Sequence, residues 1–336
     1  MKKFEKIKKA FGLDGQITET VLLSDGGIHE TYQIWTDAGK NYIFQRMNTN
    51  VFSDPGAVMR NIALVTEYLH QHFPDMITLH FYQTGKQKYL YENWRVMDFI
   101  DGYTMKNYDY LYQSHEAGCS FGEFQKCVSG MDSSALIPVI PEFHHTSYYY
   151  QKFLTLADDS EESRILKSWE EQACSVITAY QKENIPLTVT HNDMKCSNLL
   201  FHNESHLPVA VIDLDTVMPG MAVYDFGDAA RSVASNTDSG NPDLSQVGID
   251  MEKFRALSSG WLHEMQYEEP ERKLLIPAVF AVTAELAVRY MTDYLQGNIY
   301  FKVGYPEQNL VRAKNQIRLA QDILNHQKEM EEIICE

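Results

Sequence analysis

The sequence predicts an α+β fold in two lobes, a small lobe built on an antiparallel sheet and a larger, mostly helical lobe. Its 336 residues are enough for about two domains, and an apolar fraction of 44% can supply two cores. Short alternating runs separated by turn residues fill the first hundred residues, whereas long helical patterns dominate the remainder. We therefore predict lobes at residues 1–100 and 101–336.

Two helices are predicted in the small lobe. Apolar residues fall on one side of a helix within residues 1–18, so this helix should pack against the sheet. A second helix should begin at Pro55 and continue to Leu69. Asp54 can cap its first turn, where proline is tolerated because the N–H of that position has no partner within the helix.

The predicted strands of the small lobe are short runs bounded by turn residues. The glycine pair Gly26-Gly27 separates the first strand from the second, and Gly39 separates the second from the third. The last strand runs into a linker that ends at Gly102. The predicted strands lie at residues 21–23, 31–35, 41–47, 78–82, 88–91 and 94–100.

The predicted large lobe consists mainly of helices. A segment rich in Ser, Asn, Asp and Gly at residues 229–244 is predicted to be a mobile loop. The predicted helices lie at residues 103–112, 116–127, 161–184, 251–266, 270–297 and 307–336.

The net charge excludes several classes of partner. Lys and Arg number 29 and Asp and Glu number 46, which gives a formal charge of −17. Nucleic-acid binding needs faces rich in Lys and Arg, so no nucleic acid and no membrane is expected as a partner. The five cysteines form no Cys-x-x-Cys pair and the N-terminus lacks an apolar signal segment, so we expect a cytoplasmic location. No segment is expected to be long enough to span a membrane.

The most informative stretch begins at His191. The spacing His-x-Asp-x-x-x-x-Asn places Asp193 and Asn198 in one polar loop, and a later apolar run ends at Asp213. Phosphoryl transfer needs a carboxylate that accepts the proton of the acceptor hydroxyl, and a nucleotide-bound Mg²⁺ needs oxygen ligands. Protein kinases have the same interval between the catalytic Asp and the metal-binding Asn. We therefore predict Asp193 as the base, and Asn198 and Asp213 as ligands of Mg²⁺, in a protein-kinase-like fold.

The alternative to a catalytic loop is an ordinary turn in which His191 and Asp193 only cap the backbone. The combined spacing of these residues with Asn198 and Asp213 favours the catalytic loop. The triplet Asp225-Phe226-Gly227 lies too far downstream to be the metal-binding segment. We expect Asp225 and Asp228 to brace the loop by accepting backbone N–H groups. His191 is also expected to brace the loop.

This stretch resembles the aminoglycoside phosphotransferase and choline kinase superfamily, whose loop is His-x-Asp-x-x-x-x-Asn followed by Ile-Asp-x-Asp/Glu. A closer resemblance is to N-acetylhexosamine 1-kinases. It is carried by His191-Asn-Asp-Met-Lys, Ile212-Asp-Leu-Asp-Thr-Val-Met-Pro-Gly220 and Tyr224-Asp-Phe-Gly-Asp228, with further segments at 50–54, 140–146 and 289–302. The resemblance covers residues 20 to 320 and implies ATP as donor, Mg²⁺ as cofactor and a sugar as acceptor.

Four predictions concern the nucleotide. Gly26 and Gly27 would let the backbone approach the phosphates, although a glycine pair in a hairpin can also be a simple turn. Arg46 occupies the position of the phosphate-pairing Lys of kinases, or is simply a surface residue at a strand end. In protein kinases the strand Lys forms an ion pair with a Glu on the following helix. Glu67 is the only acidic residue on that helix here, so an equivalent ion pair is in doubt.

The adenine is expected to take hydrogen bonds from the backbone of Asp98 to Ile100. Met97 and Phe99 would supply apolar walls, and a plain core strand is the alternative.

Four residues are predicted to contact the acceptor: His29, His144, Asp215 and Arg289. His144 could instead be solvated, and Asp215 could bind either the metal or the sugar. Arg289 shares a helix face with acidic residues four positions to each side, which could form a solvated ion-pair stripe. The apolar surroundings favour a buried Arg289 that reaches a sugar hydroxyl.

The predicted reaction transfers the γ-phosphoryl group of MgATP to the anomeric hydroxyl of an N-acetylhexosamine, giving the sugar 1-phosphate. One alternative is a kinase for an aminoglycoside or an amino alcohol such as choline. The other is a nucleotide-binding regulator with little transfer activity, which the unusual Arg46 and the missing helix Glu suggest.

Overall fold

The computed structural model describes residues 2–24 and 28–335. Its small lobe is an antiparallel sheet of four strands in the order β1-β2-β3-β4, with one helix on its outer face and a second helix between β3 and β4. The elements of this lobe are α1 (Lys2–Ala10), β1 (Ile17–Ser24), β2 (Glu30–Thr36), β3 (Asn41–Arg46), α2 (Pro55–His72) and β4 (Trp94–Asp98).

Helix α1 closes the outer face of the sheet, as its amphipathic pattern predicted. Phe4 is buried and its ring lies 4.7 Å from the ring of Tyr32, 5.9 Å from Trp94 and 6.2 Å from Phe44. These apolar side chains form a small core that is separate from the core of the large lobe.

Helix α2 begins as predicted, because the side chain of Asp54 accepts the N–H of Ala57 at 3.0 Å and Pro55 occupies the first turn. Its apolar side chains join the core of the large lobe. The side chain of the buried Asn61 donates to the carbonyls of Ile137 and Val217, at 2.7 and 2.9 Å. The packing of α2 therefore joins the two lobes, and the boundary near residue 100 stays a prediction.

Two of the predicted strands are absent from the part of the chain that the structure describes. Residues 78–82 and 88–91 form only isolated bridges, Phe81 with Met97 and Tyr91 with Trp94. Thr84 instead donates its N–H to the carbonyl of Lys88, which closes a turn. The alternation of apolar and polar residues in these segments was too short to identify a strand.

The large lobe is mostly helical, as predicted. Two short antiparallel pairs, β5 with β8 and β6 with β7, lie beside the loop that begins at His191. The elements are α3 (Leu111–Ser129), α4 (Thr146–Leu154), α5 (Glu161–Ser168), α6 (Glu170–Glu183), β5 (Thr188–Thr190), β6 (Leu199–Phe201), β7 (Pro208–Val211), β8 (Met218–Gly220), α7 (Ala222–Val233), α8 (Met251–Glu264), α9 (Glu269–Arg272), α10 (Leu275–Leu295) and α11 (Gln308–Cys335).

Several helices of this lobe differ from the prediction. The helix predicted at 161–184 is divided at Trp169, whose indole packs against Phe280 at 5.5 Å. The segment 103–110 is irregular, and α4 and α7 were not predicted. Packing against neighbouring helices determined where these helices begin and end, and local periodicity does not report that packing.

Helix α10 lies at the centre of the large lobe, in contact with α4, α6, α7 and α11. By length and composition it could cross a membrane, so the expectation that no segment is long enough was wrong. In this fold 83% of its apolar window is buried inside the protein. That burial is what a core helix shows.

Candidate active site

The loop after β5 fixes the carboxylate of Asp193 through two donors. Asp193 Oδ2 accepts hydrogen bonds from Lys195 Nζ at 2.5 Å and from Asn198 Nδ2 at 2.9 Å. Burial raises the pKa of Asp193, but the ammonium of Lys195 outweighs burial and holds this pKa below its usual value. Asp193 is therefore ionised at neutral pH and able to accept a proton.

The backbone of the loop is braced by His191, as predicted. Its Nδ1 accepts the N–H of Asp193 at 3.2 Å, and its Nε2 donates to the carbonyl of Ile212 at 3.0 Å. Thr216 donates its hydroxyl to the carbonyl of His191 at 2.7 Å. These contacts bind the loop to the segment that carries Asp213.

The role predicted for Asp225 is confirmed. This buried carboxylate on α7 accepts the N–H of His191 and the N–H of Asn192, both at 2.7 Å. Burial raises its pKa to about 6, against the opposing effects of His191 and of these N–H groups. The same prediction was wrong for Asp228, whose Oδ1 accepts from the guanidinium of Arg231 on the same helix.

Asp213 follows the β6–β7 hairpin, as the kinase spacing predicted, and adopts a left-handed backbone conformation with φ of 63°. Burial and the nearby carboxylates of Asp215 and Asp193 raise its pKa, against the attraction of Lys195. Excess negative charge at this point favours a cation.

Asn198 can provide a further oxygen. Its amide nitrogen is used in hydrogen bonds to the backbone and side chain of Asp193, which leaves the amide oxygen for a cation. In the described part of the chain, no group of three or more His, Cys, Asp or Glu residues could hold a metal. The donors present, Asn198 and Asp213, fit an ion such as Mg²⁺, which usually keeps water and phosphate oxygens as its other ligands.

Asp215 and His29 form a buried cluster with Arg95. Asp215 Oδ2 accepts from His29 Nε2 at 2.5 Å, and its Oδ1 lies 2.5 Å from Arg95 Nη1. The other ring nitrogen of His29 accepts the N–H of Asn48 at 3.0 Å. These contacts link the small lobe to the large lobe, and the predicted acceptor-binding roles of His29 and Asp215 stay predictions.

Arg46 lies on the opposite face of the sheet from this cluster. It is paired across β3 and β4 with Trp94, whose ring packs on α1, whereas Gln45 is paired with Arg95. The guanidinium of Arg46 is 56% exposed and lies 3.7 Å from Glu30. The phosphate-binding role predicted for Arg46 is therefore wrong in this geometry, because alternation turns its side chain away from Asp215.

The pair of Arg46 with Glu67 is also absent among the described residues. Glu67 is exposed on α2 and accepts from Gln71 at 3.2 Å. On the inner face, Gln45 Oε1 accepts from two guanidinium nitrogens of Arg95, at 2.8 and 2.5 Å. The buried positive charge of the small lobe thus comes from β4 rather than from β3.

The segment predicted to bind adenine joins the lobes after β4. The N–H of Asp98 donates to the carbonyl of His80 at 3.1 Å, and the N–H of Phe99 donates to that of Asn41 at 3.4 Å. Met97 is buried, whereas Phe99 and Ile100 are half-buried. Adenine binding here stays a prediction, and Gly26 and Gly27 lie outside the described residues.

His144 lies beside the loop that carries Asp193, and its side chain is only 10% exposed rather than solvated. Its Nδ1 lies 3.0 Å from Glu285 Oε1, and its Nε2 lies 3.0 Å from the carbonyl oxygen of Asn192. Glu285 Oε2 also accepts from the hydroxyl of Thr146 at 2.8 Å. Both ring nitrogens of His144 therefore contact protein atoms, and its predicted contact with the acceptor stays a prediction.

Arg289 lies in a cluster of aromatic rings that we call the ring cluster. Its Nη1 lies 3.9 Å from Glu285 Oε1, which is too long for a hydrogen bond. The side chain is 13% exposed, and its guanidinium makes no hydrogen bond to the residues that the structure describes. The ring cluster comprises Phe143 at 5.0 Å, Tyr149 at 5.1 Å, Phe301 at 5.7 Å and Tyr300 at 6.0 Å from Cζ.

Asp293 does not pair with Arg289 as an ion-pair stripe would require. Its carboxylate accepts the N–H groups of Ile299, Tyr300 and Phe301, at 2.8, 2.7 and 2.9 Å. Asp293 therefore holds the segment that carries two rings of the ring cluster.

The family follows from a match over more than half of the chain. A model of the phosphotransferase enzyme family matches residues 19–257. The chain belongs to this family. The match includes the loop at Asp193 and the hairpin before Asp213, so the predicted superfamily is confirmed at this level.

Solved structures agree with the phosphotransferase fold. A microcompartment-associated aminopropanol kinase has a TM-score of 0.67 at 12% identity, over 98% of each chain. An amicoumacin kinase in complex with AMP-PNP and Ca²⁺ has a TM-score of 0.63 at 13% identity, over 94% of this chain and 92% of that chain. A choline/ethanolamine kinase family protein from Mesorhizobium loti has a TM-score of 0.63 at 12% identity, over 99% and 98%. At these identities the likeness confirms the two-lobed fold alone.

Sequence reasoning missed two charged residues of the phosphotransferase site. Arg95 interrupts the apolar run from Trp94 to Met97, and a charge inside such a run signals a buried partner. Lys195 lies two residues after Asp193, inside the motif that the sequence already identified. Its contact with Asp193 needed only the local loop geometry.

Proposed function

We propose that this phosphotransferase is a small-molecule kinase that uses MgATP to phosphorylate the anomeric hydroxyl of an N-acetylhexosamine. One observation carries the choice of acceptor: the nearly buried guanidinium of Arg289 has no hydrogen-bond acceptor among the described residues. Its N–H groups are partly exposed, so hydroxyl or acetamide oxygens of a neutral sugar could accept their hydrogen bonds. Arg289 adjoins the catalytic loop through Glu285 and His144.

The ring cluster argues against a cationic acceptor at this place. Aromatic rings attract quaternary ammonium groups through their faces. Here the protein's own guanidinium occupies the space between the rings, at 5.0 to 6.0 Å from four of them. An aminoglycoside or amino alcohol would meet a positive charge instead of an open cage.

The residues of the loop would act as follows. Asp193 accepts the proton of the anomeric hydroxyl, and the ammonium of Lys195, 2.5 Å from Asp193, can stabilise negative charge on the transferred phosphoryl group. Asn198 and Asp213 would hold Mg²⁺, which supplies charge neutralisation at the phosphates when bound. The segment Met97 to Ile100 would hold the adenine.

An acceptor screen with purified protein tests this proposal. ADP release is measured with N-acetylglucosamine and N-acetylgalactosamine, with their methyl glycosides, and with glucosamine, choline, ethanolamine and an aminoglycoside. We expect turnover with at least one N-acetylhexosamine and none with its methyl glycoside, which lacks the free anomeric hydroxyl. Phosphorus NMR of the product should show a phosphate at C1.

Each other outcome has a definite meaning. Turnover with an amino alcohol or aminoglycoside, and none with the sugars, would replace the proposed acceptor and keep the kinase chemistry. ATP binding without turnover of any acceptor would favour the alternative of a nucleotide-binding regulator with little transfer activity.

A further inference from the structure

Three largely buried histidines, His29, His144 and His191, have hydrogen-bond partners at both ring nitrogens. His29 and His191 each receive a backbone N–H at Nδ1, at 3.0 and 3.2 Å, and each faces an oxygen at Nε2, at 2.5 and 3.0 Å. A neutral imidazole has one donor and one acceptor nitrogen, so it satisfies both sets of partners.

His144 differs because both of its nitrogens face acceptors. Glu285 Oε1 lies 3.0 Å from Nδ1, and the carbonyl oxygen of Asn192 lies 3.0 Å from Nε2. Neither partner can donate, since one is a carboxylate and the other a backbone carbonyl. Only the imidazolium donates from both nitrogens.

We propose that His144 is a positioning residue that acts as an imidazolium, donating one N–H to Glu285 and the other to the carbonyl of Asn192, and so orients the peptide that leads into Asp193. The proposal rests on the role of Asp193 as the base of the proposed reaction.

The Asn192 peptide unit is constrained on both sides of its α-carbon. Its carbonyl accepts from His144, and its N–H donates to Asp225 at 2.7 Å. Both His144 and Asn192 adopt left-handed backbone conformations, with φ of 54° and 64°. Such conformations persist when surrounding contacts hold them, so the contact is a built feature of the loop.

The charged groups around the ring favour its second proton. Burial lowers the pKa of His144, but Glu285 outweighs burial and raises this pKa above its usual value, with a smaller contribution from Asp228 and an opposing one from Arg289. Glu285 and Arg289 face the ring from α10, and Asp228 faces it from α7 together with Asp225. Burial likewise raises the pKa of Glu285, and His144 reverses that shift.

Loss of the second proton should misplace the base. A neutral ring would direct a lone pair at an oxygen, either that of Glu285 or that of Asn192, and one contact would become repulsive. An error of about 1 Å in the position of a catalytic group can reduce the rate about 100-fold. The proposal therefore predicts an alkaline limb in the pH profile of kcat above pH 6.5, the usual pKa of a histidine.

Two substitutions and a matched control test this limb in the full chain. His144→Gln keeps a donor near Asn192 but does not titrate, and Glu285→Gln keeps the shape of the partner but removes its charge. The control is His145→Gln, because His145 is the exposed neighbour that caps α4 through the N–H of Tyr148. kcat and the KM for ATP are measured across pH with the best acceptor, or with water as acceptor.

The expected results separate positioning from folding. In Glu285→Gln the limb should move to lower pH by about one to three units, because an adjacent opposite charge changes a pKa by that amount. In His144→Gln the limb should disappear, and kcat should fall about 10- to 100-fold with little change in the KM for ATP. His145→Gln should keep the parent profile. An identical limb in all four proteins would overturn the proposal.

A second measurement does not depend on turnover. Nitrogen-15 NMR of histidine-labelled protein should show both nitrogens of His144 protonated at pH 6.5, with His144→Gln identifying the signals. An unprotonated ring nitrogen on His144 at that pH would also overturn the proposal. Failure of every sugar in the acceptor screen, with this NMR signature and the limb in ATP hydrolysis intact, would refute only the proposed acceptor.

Discussion

Replacing Arg95 with methionine should destabilise the fold by about 3–5 kcal/mol, because it would leave the carboxylate of Asp215 buried with one partner. Arg95 is 2% exposed and Asp215 is 3% exposed, so water screens neither charge. The two oxygens of Asp215 lie 2.5 Å from Arg95 and 2.5 Å from His29. Methionine fills a similar volume without a charge, so the loss would be mainly electrostatic.

The pKa of Asp215 gives an independent order of magnitude for the stabilisation by its buried partners. Burial raises the pKa, but Arg95 and His29 hold it at about 2 instead of the usual 3.8. At 1.36 kcal/mol for each pKa unit, ionisation of Asp215 stabilises the folded state by roughly 2–3 kcal/mol. Since the folded pKa is lowered, this stabilisation is complete above pH 3.8 and is lost as the pH falls through about 2.

The assay is urea unfolding at pH 7, where the contribution is complete. Arg95→Met combined with Asp215→Asn removes both charges, and this double variant should recover part of the loss. Arg46→Met is the matched control, an exposed arginine on the same sheet, and should change the free energy of unfolding by less than about 1 kcal/mol. A loss below about 1 kcal/mol in Arg95→Met, or a double variant no more stable than the single one, would refute the buried ion pair.

Three further predictions concern the site. Asp193→Asn should keep ATP binding, measured by nucleotide titration, while kcat falls about 10²–10⁴-fold, because only the proton acceptor is lost. Asp213→Ala should weaken MgATP binding together with turnover, whereas Asp225→Ala should mainly lower the melting temperature, since two loop N–H groups lose their acceptor. A stable Asp225→Ala protein without Mg²⁺ dependence would reverse these two assignments. Arg289→Ala should cost about 1.5–3 kcal/mol in kcat/KM for the sugar and leave the KM for ATP unchanged; a lower melting temperature with unaltered sugar kinetics would make Arg289 structural.

The sequence by itself determined the features that depend on neighbours along the chain. The first three strands, the cap at Asp54 and the fold class, a small antiparallel-sheet lobe with a helical lobe, follow local periodicity and turn chemistry, and the structure confirms them. The spacing from Asp193 to Asn198 is also local, since both side chains lie in one loop and hydrogen-bond each other at 2.9 Å. The role of Asp225 as an acceptor of loop N–H groups was predictable because a buried carboxylate needs hydrogen-bond donors.

Only the tertiary structure decided which charged groups meet across the cleft. Alternation along β3 indicated correctly that Phe44 and Arg46 share a face, but that face packs against α1, which no pattern within the strand reports. Arg95 reaches Asp215 from a distant part of the chain. The proton on His144 likewise depends on a partner 141 positions away. Sequence periodicity specifies the faces of an element, whereas the partner of a buried charge is fixed by how separate elements pack.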